Sequence, residues 1–166
     1  MALGHAGQAQ RGVVKIRPAG DRDIEAIHVV HMLAVKGLQE TDPRADEQRE
    51  GVDEWVAERR PSDIAEEMRN EHFVVMADDA EILGFGALHI PKSVITSVFV
   101  NPRHQRLGIG RALLAELEAT AREAELKVVQ LQATGTAIEF YLKTGYQSDP
   151  PVEPGADWAR MKKDVS

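Results

Sequence analysis

Val98-Phe99-Val100-Asn101-Pro102-Arg103-His104-Gln105-Arg106-Leu107-Gly108-Ile109-Gly110-Arg111 is the stretch on which the reading of this chain turns. It joins a short apolar run to two glycines, and from the glycines onward Ile109, Leu113, Leu117 and Ala121 recur every four residues. That spacing predicts an amphipathic helix over 108–125, with Leu114 beside the apolar stripe and Glu118 and Arg122 as an i,i+4 pair on the opposite face. Asn101-Pro102 ends the preceding strand, because proline cannot donate to a ladder. Gly108 and Gly110, lacking side chains, let backbone N–H groups come close to a ligand. The unsatisfied donors of a first helical turn and its positive dipole end favour an anion there. Arg106 and Arg111 add charge at the rim, with Arg103 nearby. The pattern predicts a diphosphate cradle.

Two other kinds of cradle fit poorly. A P-loop needs Lys and Ser or Thr after its glycines, and Gly110 is followed by Arg111-Ala112. A dinucleotide fingerprint needs a third glycine where Leu113 stands, and a parallel unit before it. Here the preceding segment reads as an antiparallel meander: a strand over 72–77, a turn at Asp78-Asp79-Ala80, a strand over 82–90, a turn at Pro91-Lys92 and a strand over 93–100. Further upstream, residues 13–17 read as a first strand stopped by Pro18. Asp21 is the expected cap of a helix carrying Ile24, Ile27, Val30 and Ala34. Residues 37–45 read as a loop, then Val52, Trp55 and Val56 as a helical region interrupted by Pro61, with Ser62 capping a short helix over 63–69. Downstream, 128–131 reads as a buried strand, 136–143 as a helix closed by Gly145, and 158–162 as a last strand.

The hexapeptide Gln105-Arg106-Leu107-Gly108-Ile109-Gly110 follows Q/R-x-x-G-x-G/A and resembles the pyrophosphate motif of the GCN5-related N-acetyltransferase (GNAT) family. Val98-Phe99-Val100-Asn101-Pro102 is similar to the strand end that leads into that motif. Ala137-Ile138-Glu139-Phe140-Tyr141-Leu142-Lys143-Thr144-Gly145-Tyr146 looks like the family's A-x-x-F-Y-x-K-x-G-F/Y segment, and the tail from Glu153 to Met161 is similar to the ending of some bacterial members. The likeness covers most of the chain. It implies an α/β (α+β) fold, with a mixed, mainly antiparallel central sheet of about six to seven strands flanked by about four helices. A splayed pair, the fourth and fifth strands, would hold acetyl-CoA.

The resemblance also implies roles. The backbones of Val98, Phe99 and Val100 would bond pantetheine. Gln105, Arg106, Leu107, Gly108, Ile109, Gly110 and Arg111 would hold the diphosphate. Thr134 stands where some relatives have an asparagine that bonds pantetheine. Acyl transfer to an amine needs a base for the amine, donors for the oxyanion and an acid for the thiolate. Tyr141 occupies the place of the family's general acid, and a backbone N–H at the Val98 end of the strand that of the oxyanion donor. Many relatives carry a glutamate where this chain has Val94. The base is therefore open between His89 and a water ordered by Thr96 or Ser97.

Composition bounds the remainder. The 166 residues suit one domain over 12–166, with 1–11 expected as a disordered leader. A net charge of −7 disfavours nucleic acid as a partner. No apolar run is long enough to span a bilayer. The chain has no cysteine, which excludes disulfides, thiolate metal sites and a cysteine nucleophile, and fits the cytoplasm. His28 and His31 lie three apart on one helix, but no third ligand has metal-site spacing, so no metal is expected. Acidic residues from Glu40 to Glu50 fall where the family shapes its acceptor pocket. The expected function is transfer of an acetyl group from acetyl-CoA to a small-molecule or peptide amine, in a chain that can pair as a homodimer through its apolar last strand. The alternative is a non-catalytic acyl-CoA-binding module.

Overall fold

Six strands lie side by side in chain order in a computed structural model that describes residues 12–41, 53–54 and 56–166. Strands β1 (Lys15–Pro18), β2 (His72–Ala77), β3 (Ile82–His89) and β4 (Val94–Val100) form the antiparallel meander. Strand β5 (Val128–Thr134) runs parallel to β4, and β6 (Trp158–Asp164) returns antiparallel beside β5. Four α-helices are delimited among the described residues: α1 (Ile24–Thr41), α2 (Pro61–Asn70), α3 (Ile109–Glu123) and α4 (Ala137–Lys143). The expected leader, Trp55, Val52 and most of the acidic stretch lie outside the described residues.

Alternation along the strands divides the core into two layers. On one face, Val74, Met76 and Leu131 pack with Leu113, Leu114, Leu117 and Ala121 of α3. On the other, Phe73, Val75 and Phe85 pack with Ile27 and Val30 of α1 and Ile64 of α2. Among the described residues, no helix is long and apolar enough to cross a membrane.

Several elements depart from the sequence reading. Helix α1 continues through Gly37 to Thr41 instead of ending in a loop. A Cβ at position 37 would stand 3.2 Å from Pro102 Cγ, so glycine here permits close packing of the helix on that turn. Asp23, not Asp21, secures the start of that region: its carboxylate accepts the Gly20 N–H at 2.8 Å and pairs with Arg17 at 2.7 Å. That guanidinium holds the Asp23 carboxyl below its ordinary range. Pro61 opens α2 at its first position, where a missing N–H costs nothing, and Asp63 rather than Ser62 accepts the Arg60 N–H at 2.8 Å. Pro18 is tolerated inside β1 because β1 is an edge strand. Strand β5 extends to Thr134 and alternates exposed and buried residues, since only one of its faces is covered.

Glu118 is the largest departure. It is buried rather than paired with the exposed Arg122. It accepts the Tyr146 hydroxyl at 3.0 Å and the Lys163 ammonium at 3.0 Å, and that ammonium also donates to the Thr144 carbonyl at 2.9 Å. One carboxylate thus ties α3 to β6 and to the turn after α4. Removing one partner of a mostly buried ion pair strands the other in low dielectric. Glu118→Ala is expected to cost about 3 kcal/mol of unfolding free energy. Urea denaturation checks this, and a cost no larger than that of a surface substitution would contradict the tie.

Candidate active site

Strands β4 and β5 touch at one place, Val94 opposite Gln130, where the Gln130 N–H bonds the Ser93 carbonyl at 2.8 Å. Beyond that contact they part. On its other side β4 stays paired with β3 as far as Val100 opposite Gly84. The register steps between Ala87–Ser97 and Leu88–Ile95, which leaves Thr96 as the extra residue of a bulge. The parting strands enclose an open cavity of about 660 Å³. Val98, Phe99 and Val100 line one wall, and Leu131, Gln132, Ala133 and Thr134 line the other.

The mouth of this fork meets the start of α3. Gly108 caps the helix with φ +78° and ψ 11°, and as a glycine it brings no side chain to bond the helix end. The first bond of the helix runs from the Ala112 N–H to the Gly108 carbonyl at 3.0 Å, so the amides of Ile109, Gly110 and Arg111 precede it. A Cβ on Gly108 would meet nothing within 4 Å. One on Gly110 would lie 3.6 Å from both Val100 Cγ2 and Phe140 Cζ, at the cavity wall. Arg106 takes a left-handed φ of +63°, a conformation that L residues adopt at a cost of about 1 kcal/mol. Gln105, Arg106 and Arg111 line the cavity together with Gly108, Ile109 and Gly110, while Leu107 is 65% exposed and stands outside the lining.

Tyr141 enters from α4. Its ring is buried, lines the cavity, and meets Phe140 and Tyr146 edge-on at 5.0 and 5.6 Å. Burial pushes its phenol up to about 12. Tyr146 is held in turn by Glu118, and burial with that neighbouring carboxylate pushes its own phenol upward.

His89 is not brought to this site. It ends β3, where its Nδ1 accepts the Lys92 N–H at 3.2 Å, and it is not among the lining residues. His104 does line the cavity and pairs with Glu81 at 2.8 Å. His28 Nε2 lies 2.9 Å from the Arg59 carbonyl, and no cluster of three or more metal-ligating side chains occurs among the described residues. Sequence reasoning missed a further part of the lining: Ala34 and Leu38 of α1 reach the cavity. Phe99 beside them packs on Phe85 at 5.6 Å and His31 at 4.5 Å. Burial pushes His31 down to about 4, so its ring is neutral at pH 7. The helical repeat places Ala34 on α1, whereas Leu38 falls in the stretch that reads as a loop and joins the lining only because α1 runs on to Thr41.

Residues 43–165 match the model of the acetyltransferase (GNAT) domain. The chain belongs to the GNAT family. It is similar to histone acetyltransferase TAP1 of Glycine max, with 31% identity over 70 residues, and to the uncharacterized N-acetyltransferase ycf52 of Porphyra purpurea, with 33% over 66. These matches span 42% and 40% of this chain and 30% and 38% of those proteins, so it aligns with about a third of their length. In fold it is similar to the PaiA N-acetyltransferase of Thermoplasma acidophilum in complex with coenzyme A. There the TM-score is 0.75 at 19% identity, over 92% of this chain and 99% of that one. YncA of Salmonella typhimurium, solved with acetyl-CoA, gives a TM-score of 0.60 at 18% identity over 92% and 94%. The fold is thereby shared with these two proteins.

Any side chain at Gly108 would have to take a φ of +78° at the start of α3, beside the residues expected to hold the diphosphate. Gly108→Glu is expected to weaken coenzyme A binding by tenfold or more, roughly the 1.4 kcal/mol of one lost charge-assisted contact. Calorimetric titration checks this, and unchanged affinity in a cooperatively folded variant would contradict the cradle.

Proposed function

We propose that this GNAT domain transfers the acetyl group of acetyl-CoA to a primary amine of a small molecule or peptide, by direct attack and without a covalent enzyme intermediate. The observation that carries this reading is a single cavity lined by an opened strand pair, by a helix start whose glycine cap has no side chain, and by a buried phenol. Acetyl-CoA fits these residues chemically. Its diphosphate suits the amides that follow a glycine cap, which has no side chain and whose Cβ direction is open. Its amide-rich pantetheine suits strand edges that have no pairing partner past Val94 and Gln130.

When bound, acetyl-CoA supplies an acyl carbon activated as a thioester. The protein's part is orientation and proton handling. The inner edge of β4, from Val98 to Val100, orients the donor by main-chain hydrogen bonds, and a backbone N–H there faces the carbonyl oxygen that gains charge. Tyr141 holds a proton for the departing sulfur. Its raised pKa keeps that proton in place throughout the neutral range. Ala34, Leu38 and Phe99 form the wall that an acceptor's apolar part would meet. With no cysteine in the chain, we read its compartment as the cytoplasm.

Thiol release from acetyl-CoA over a panel of amines, with mass detection of the product, tests the reading. Tight acetyl-CoA binding with no release from any amine would favour a binding module instead. Tyr141→Phe is expected to lower kcat by about 10²-fold while leaving acetyl-CoA affinity near the parent value; equal rates would reduce Tyr141 to packing. The sign of the pH dependence follows from the buried phenol. The acid form is lost only as pH rises through about 12, so kcat is expected to show no Tyr141-dependent descending limb near the ordinary value of 10.0. A limb present in the parent at that pH and abolished in Tyr141→Phe would contradict the burial.

A further inference from the structure

Acetylation of an amine that arrives as an ammonium ion needs a proton acceptor, and β4 offers neither carboxylate nor imidazole along Val94-Ile95-Thr96-Ser97-Val98-Phe99-Val100. A carboxylate reaches β4 from elsewhere. The Thr96 hydroxyl donates to Glu71 Oε2, with the Ala87 carbonyl a longer second neighbour at 3.4 Å. Thr96 is the bulge residue of β4 and lines the fork, and its hydroxyl proton points to Glu71. Glu71 is fixed from both sides: its N–H closes α2 on the Glu67 carbonyl at 2.9 Å, and His72 after it enters the sheet opposite Leu88.

A hydroxyl that donates to a carboxylate keeps its lone pairs for an incoming N–H. We propose that Thr96 and Glu71 form the proton relay for the acceptor amine, a role that rests on the acetyltransferase reading. The ammonium gives one proton to Thr96 Oγ1 as Thr96 passes its own to Glu71, and half-buried Glu71 releases it to solvent. The nitrogen lone pair then forms the N–C bond as the C–S bond breaks and its electron pair leaves with sulfur. Tyr141 gives its proton to that sulfur and regains one from the acylated nitrogen. The balance is one ammonium and one thioester in, one amide, one thiol and one proton out. The Glu71 charge behind Thr96 also favours cationic amines over neutral nucleophiles in the ground state.

The test compares nucleophiles that do and do not need the relay. The best acceptor from a panel of polyamines, amino acids and peptides with free amino termini is paired with its aminooxy counterpart, which is already neutral at pH 7. Glu71→Gln and Thr96→Val are expected to lower kcat for the amine by roughly 10²-fold and far less for the aminooxy compound. Thr96→Ser is expected to recover rate lost in Thr96→Val. Acetyl-CoA affinity and the melting midpoint serve as controls for folding and for the cradle. Equal losses for both nucleophiles, or no loss for either in a turning-over enzyme, would overturn the relay alone. A parent protein that binds acetyl-CoA and acetylates nothing in the panel would overturn the acetyltransferase reading, and the relay with it.

Discussion

One main-chain contact, Val94 against Gln130, is where the sheet is both joined and opened. Parallel neighbours require a crossover, and here it is α3, packed on the face that carries Leu113 and Leu117. The crossover leaves β4 at its carboxyl end, so the start of α3 is delivered to the mouth of the gap. Because β4 and β5 separate past their single contact, each keeps an inner edge of backbone donors and acceptors that need partners. An extended ligand with amides along its length and phosphates at one end answers both demands.

Rigidity and strain are distributed accordingly. The left-handed conformations of Arg106 and Gly108 lie in the loop that turns the amides toward the cavity. The buried Glu118 anchors the far side of α3 to Lys163 and Tyr146, and Tyr146 in turn packs edge-on against Tyr141. The Glu118 carboxylate thereby holds the ring on which Tyr141 packs at the cavity. The bulge at Thr96 has the opposite use: it interrupts a regular ladder at a residue that lines the fork and whose hydroxyl bonds a carboxylate from another element.

Local periodicity and motif chemistry carried much of this in the linear chain. The four-residue repeat of α3, the meander and the glycines before the helix are short-range signals, and each element was found within a few residues of its expected bounds. What the chain hid was long-range. The i,i+4 rule paired Glu118 with Arg122 because it cannot see Lys163, forty-five positions away and brought alongside by β6. Gly37 read as a loop marker because its packing partner, Pro102, lies in another element. Ser62 and Asp21 stand where local rules expect caps, although Asp63 and Asp23, three positions beyond the capped N–H, have the reach to accept it. The Glu71–Thr96 bond spans twenty-five residues and left no local trace, whereas His89 drew notice by residue type and serves the turn beside it.

The measurement that bears most directly on the central claim is a crystal structure of the protein with acetyl-CoA. Pantetheine is expected to bond along the inner edges of β4 and β5, with two phosphates on the amides that open α3 and the sulfur within reach of the Tyr141 hydroxyl. Strands closed upon each other past Val94 and Gln130, or phosphates bound away from the Gly108 turn, would contradict it.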